Sequence, residues 1–239
     1  MIRLRSTVLL LAGLSLTACS HPAATAPADP KAALAASLAG LTAGNYRYTI
    51  AMPDVRIAGT TDLAHAAATR TTTFSDPDGE VIDEVVIGPD KYSRTSRTRR
   101  DARWEHLDLA RIPEAAARHG LAVTKPDRTG ATNLLSAVET ATMDGSTVRG
   151  TLAVTGMIGG GIALQPVERR LEGRPAFTAT LDAQGRLGRL VVDLPAGTVP
   201  PEPAGTWTLE ISGYGSAPAP EPPTPTREAP EDLYETMGS

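Results

Sequence analysis

One cysteine, Cys19, stands in 239 residues, so no disulfide can form within the chain and its stability must come from burial. Long apolar runs are also missing. The best, Val8 to Leu14, is too short to span a bilayer. Positive charge is not in excess: 23 Lys and Arg face 27 Asp and Glu for a net charge of −4, and nothing points to a nucleic-acid partner. There is no Gly-x-Ser-x-Gly elbow. The glycine-rich stretch Gly156 to Ile162 lacks the Gly-Lys-Ser/Thr ending that cradles phosphate. The four histidines, His21, His65, His106 and His119, fall at no metal-ligand spacing. Asp62 and His65, like Glu105 and His106, are separated by odd intervals that put each pair on opposite faces of a strand. These absences favour a protein that is not an enzyme and that carries neither a metal nor a cofactor.

What is present begins at the N-terminus. Arg3 and Arg5 precede the apolar run, and Leu16-Thr17-Ala18-Cys19 closes it with small residues. The order resembles the lipobox of bacterial lipoproteins. That resemblance implies a thiol diacylated at Cys19, cleavage after residue 18, and a protein held by its lipid to the outer face of the cytoplasmic membrane. Losing residues 1–18 removes Arg3 and Arg5 and takes the charge from −4 to −6.

Residues 19–29 read as a tether, rich in Ala, Pro and Thr. Asp29-Pro30 is an N-cap followed by proline at the first helical position, and Leu34, Leu38 and Leu41 form one stripe before Gly44. From Asn45 the apolar period becomes two, which predicts strands over 45–52, 55–63, 65–74, 81–87 and 91–95. Turns are expected at Pro53-Asp54, Asp76-Pro77-Asp78-Gly79 and Gly88-Pro89-Asp90. A short helix is expected over 113–120. A second is expected from a cap at Thr132 through Leu134, Leu135, Val138 and Ala141. Strands resume at 147–155, 177–181, 187–194 and around Trp207 to Ile211, for about nine strands and three helices. Residues 216–239 read as a Pro-rich disordered tail. The fold expected of residues 30–215 is α+β: a curved antiparallel sheet with one packed face and short helices over it.

Alternation marks Tyr46, Tyr48, Ile50, Ile57, Val85, Ile87, Leu152, Val154, Phe177, Leu181, Leu190, Val192, Trp207 and Leu209 as the inward residues, lining either an apolar cavity or an ordinary core. The stretch Gly156 to Ile162 reads as a mobile loop or as an apolar lip at the mouth of such a cavity. Arg94, Arg97, Arg99, Arg100 and Arg103 crowd around Asp101. They make either a solvated loop or a basic patch in which Arg97, Arg99 and Arg100 contact lipid headgroups.

The lipobox, the tether, the Tyr-rich first strand, Trp104-Glu105-His106-Leu107-Asp108, the two short helices and the hairpin Ala179-Thr180-Leu181-Asp182-Ala183-Gln184-Gly185-Arg186-Leu187 together resemble the LppX/LprG-type lipoproteins of actinobacteria, akin to periplasmic lipoprotein carriers. The resemblance implies a curved antiparallel half-barrel with helices over its concave face, monomeric, binding acylated lipid in an apolar cavity for transport or presentation in the envelope. The alternative is a structural or regulatory lipoprotein with a packed core that binds an envelope protein partner, with the Pro-rich tail and its acidic end as the docking element.

Overall fold

The structure is a computed structural model that describes residues 29–75, 79–96, 103–112, 122–159, 168–198, 201–202 and 204–238. Cys19 with its signal and tether, the residues Arg97, Arg99 and Arg100, and the helix expected over 113–120 lie outside the described residues.

Helix α1 (Pro30–Ser37) starts where the sequence places it. The Asp29 carboxylate accepts from the Lys31 amide at 3.0 Å, and Pro30 supplies a first residue whose missing N–H costs nothing. Leu38 separates it from α2 (Ala39–Thr42), and Gly44 at φ +70° releases the chain into the sheet.

Strands β1 (Asn45–Ala51), β2 (Val55–Asp62), β3 (Ala67–Phe74), β4 (Val81–Ile87), β5 (Asp90–Thr95) and β6 (Trp104–Asp108) run as an antiparallel meander. After α3 (Ala131–Ser136) come β7 (Val138–Asp144), β8 (Thr147–Leu152), β9 (Val154–Gly159), β10 (Glu168–Gly173), β11 (Ala176–Leu181) and β12 (Leu187–Leu194). Short β13 (Gly197–Thr198) and β14 (Pro201–Glu202), then β15 (Gly205–Ser212), β16 (Thr226–Glu228) and α4 (Glu231–Gly238), complete the described elements. Twelve strands form one large, curved, unclosed sheet in the order β16-β6-β5-β4-β3-β2-β1-β15-β12-β11-β8-β7. Every pairing in it is antiparallel except β16 on β6.

The sheet registers so that one cross-strand row runs Ile57, Ile50, Leu209, Leu190, Ala179, Val148. Directly opposed residues share a face, so this row fixes the apolar side of six strands at once. Helices α1, α2 and α3 lay Ala33, Leu34, Leu41, Ala131, Leu134 and Leu135 onto that side. Among the described residues no helix is long and apolar enough to cross a membrane.

Several expectations are corrected. Val85 and Ile87 do not share the apolar face: Val85 opposes Thr69, and Ile87 opposes Ala67, whereas Glu84 opposes Arg70 and Val86 opposes Ala68. The run Val85-Val86-Ile87 fits either phase, and the pairing of Glu84 with Arg70 selects the one that turns Glu84 inward. Thr132 is not the cap of α3. Gly130, at φ +80°, precedes the helix, and the Asp127 carboxylate takes the amides of Thr129, Gly130 and Thr132 at 2.7–3.2 Å. Val138 and Ala141 are not helical, because β7 pairs with β8 across the Asp144-Gly145 turn, Gly145 having φ +57°. Gly156 to Gly159 is not loop: it belongs to β9, which pairs antiparallel with β10.

The tail is also corrected. An exposed β6 edge offers unpaired backbone groups, and residues 226–228 cover it: Thr226 registers with Trp104 and Glu228 with His106, and the Ala229 amide donates to the His106 carbonyl at 2.7 Å. Tyr234 of α4 is buried, its hydroxyl accepts from the Asp108 amide at 3.0 Å, and Arg111 stacks over its ring at 3.7 Å.

Candidate functional site

The residues expected to line a cavity are brought together as one cluster. Tyr46, Tyr48, Ile50, Ile57, Leu152, Phe177, Leu181, Leu190, Val192, Trp207 and Leu209 all belong to it, while the side chain of Val154 lies outside the described residues. Ile50, Leu152, Leu190, Val192 and Leu209 have 0% of their surface accessible. A void large enough for water would leave accessible surface on its walls, so these five side chains are in contact with protein on all sides.

A described hollow lies on the other face. It holds about 680 Å3 and is open, with Arg47, Thr49, Thr60, Thr69, Thr71, Arg189, Glu210 and Ser212 among the residues that line it. These are the residues that alternation turns away from the core on β1, β2, β3, β12 and β15. The Thr60 and Thr69 hydroxyls meet at 2.8 Å across its floor.

A second feature is charged and buried. Arg70, Glu84 and Lys91 come from three adjacent strands, and Arg128 from the segment before α3; each is no more than 7% exposed. Glu84 Oε1 accepts from Lys91 Nζ at 2.7 Å and its Oε2 accepts from Arg70 Nη2. Arg128 is pinned by its backbone, its amide donating at 3.0 Å to the Tyr46 hydroxyl, which donates in turn to the Pro126 carbonyl at 2.8 Å. Burial holds the Arg128 pKa below the usual guanidinium range, with the like charge of Arg70 adding to the effect, while the Tyr48 and Tyr46 hydroxyls and Glu84 oppose it. Burial likewise pushes the Tyr48 hydroxyl up. Gly59 permits this arrangement, because a Cβ there would meet the Tyr48 hydroxyl at 2.8 Å and the backbone carbonyl of Thr69.

The histidines find acids that strand alternation hides. Leu63–His65 is a 3-10 turn, so Asp62 and His65 are neighbours at 2.6 Å rather than on opposite faces of a strand. His106 meets not Glu105 but Asp90, at 2.8 Å from Nε2, and Glu228, at 2.9 Å from Nδ1, while stacking on Tyr92 at 4.9 Å. Burial would lower its pKa, but the hydrogen bonds and charges of Glu228 and Asp90 outweigh burial and hold it above the ordinary 6.5. A raised folded value means that the stabilisation is complete below 6.5 and is lost as pH rises through the folded value. Docking of the tail strand is therefore expected to weaken as pH climbs past that point. Hydrogen exchange at the Ala229 amide measures it: protection should fall with pH in the wild type beyond the intrinsic exchange trend, and His106→Gln should remove the excess. Identical corrected protection on both sides of the titration would dismiss the coupling.

The buried ion pairs were missed because their members come from separate strands. The antiparallel register of β3 and β4 places Glu84 against Arg70. Nothing local marks Arg128 as buried. The class defined by this geometry is a large, unclosed, mostly antiparallel sheet with a packed helical face and an open polar face. The chain matches no family model, no curated protein and no solved structure.

Proposed function

We propose that this chain is a membrane-anchored, extracytoplasmic lipoprotein without enzymatic activity, whose half-barrel domain is packed shut and acts by binding an envelope protein partner through its surface. The observation that carries this reading is the filled apolar face, where the side chains at the centre of the sheet have no accessible surface. Helices α1, α2 and α3 over that face act as a fixed cover. Native mass spectrometry of the domain expressed in an actinobacterial host tests it. Protein without bound lipid, and without uptake of a fluorescent fatty acid, is the expected result. A co-purifying acyl lipid would overturn it in favour of the carrier reading that the LppX/LprG resemblance implies. The docked tail narrows the surface on offer, since Glu228 and Glu231 already engage His106 and Arg111 within the chain.

The anchor is tested separately. Radiolabelled palmitate should enter the wild-type protein and be absent from Cys19→Ser, which should also remain uncleaved or leave the membrane fraction, because diacylation precedes cleavage at a lipobox. Label persisting in Cys19→Ser would show that the anchor lies elsewhere.

A further inference from the structure

Charge is out of balance inside the sheet. Arg70, Lys91 and Arg128 are buried against the single carboxylate of Glu84; the other buried acid, Asp62, is engaged by His65. Both oxygens of Glu84 are taken by Lys91 and Arg70. No carboxylate among the described residues pairs with Arg128, and the Nε atoms of Arg128 and Arg70 are buried without a hydrogen-bond partner. A guanidinium does not escape such a position by losing its proton. The Tyr48 hydroxyl accepts a hydrogen bond from the Arg128 side chain and Glu84 attracts it, but burying it with no carboxylate of its own is unfavourable, and a bound anion would offset that cost.

The structure provides a place for one. Arg70 and Arg128 border a cavity of about 10 Å3, together with Ala68, Thr69, Glu84 and Val86. That is room for a single water-sized atom, too little for a tetrahedral oxyanion. We propose that Arg128 and Arg70 together bind one monatomic anion here, a halide, which supplies the charge that Glu84 does not.

The position suits this role. Arg128 is held from behind by the Tyr46 hydroxyl, and the Asp127 carboxylate ties the next turn, so the guanidinium is presented rather than left to swing out. Arg70 is held by Glu84, whose remaining charge is spent on Lys91. The anion would meet two cations whose own carboxylate partner is already saturated.

Thermal unfolding of the domain at constant ionic strength tests the site, with sodium gluconate as the background and chloride, bromide or acetate replacing it. A bound small anion should raise Tm with its concentration, following the mass-action dependence of a native-state ligand. A rise with chloride and bromide but not with acetate identifies a bound halide, and a rise that acetate gives equally would overturn it. Arg128→Met should lose affinity by about tenfold or more and should be no less stable than wild type in gluconate, because it removes a buried charge that has no carboxylate partner. Bromide diffraction gives an independent measurement, with an anomalous peak expected between Arg70 and Arg128. A Tm that is the same in every anion, or a bromide-soaked crystal with no peak at that place, would overturn the proposal whatever the variant does.

Discussion

Glu84→Ala is expected to destabilise the domain by about 3–5 kcal/mol, the loss seen when one partner of a buried ion pair is removed and the other charge is stranded. Here two charges are stranded, Arg70 and Lys91, with side chains 6% and 2% exposed. Glu84→Gln keeps the shape and one of the two acceptor oxygens, so a smaller loss is expected. The joint replacement of Arg70, Glu84 and Lys91 by Met, Leu and Met should recover most of it, since exchanging a whole buried ionic group for apolar side chains is often neutral. Urea unfolding followed by tryptophan fluorescence reads all three. A loss below about 1 kcal/mol in Glu84→Ala, the range of an exposed salt bridge, would show that Glu84 is not the counter-charge of the cluster.

Leu209→Ala should cost about 2–5 kcal/mol, as for a leucine whose removal leaves a void that packed neighbours cannot refill. Leu209 lies in the middle of the apolar row, between Ile50 and Leu190, with no exposed surface. The magnitude bears on function. A leucine lining an open lipid cavity already faces space, and its truncation should approach the few tenths of a kcal/mol of an exposed site. A measured loss of that small size would count against the packed domain and for a carrier.

Much of the scaffold is legible along the chain. Period-two alternation locates β1, β2, β4, β12 and β15 within a residue or two, because a half-buried strand must alternate. Asp29-Pro30 marks the first helix, since a side-chain acceptor and a residue without an N–H both suit its first turn. The hairpin of β11 and β12 is equally local: the Asp182 carboxylate accepts from the amides of Gln184 and Arg186 at 2.9 Å, and Gly185 takes φ +74°.

Thr132 to Ala141 has apolar residues at helical spacing, yet the chain leaves the helix at Ser136 because β8 is available to pair with β7. Tertiary pairing overrides a weak local period. Residues 217–230 look unable to pack by composition, and alone they would not. They order because the β6 edge and His106 stand ready to receive residues 226–229, with Arg111 holding the adjoining Glu231.

The sequence by itself determined the alternation that gives the sheet an apolar and a polar face, the turns that make it antiparallel, and the signal whose Cys19 resembles a lipobox. These follow from contacts within a few residues, where spacing translates directly into geometry. The tertiary structure alone decided the phase of β4, the union of Arg70, Glu84, Lys91 and Arg128, and the meeting of His106 with Asp90 and Glu228. Each of these joins residues brought together by strand register or by the return of a distant segment, His106 and Glu228 being 122 residues apart. Buried charges acquire their meaning only from such partners, because in the interior a charge is decided by what stands within a few ångströms of it, not by its neighbours along the chain.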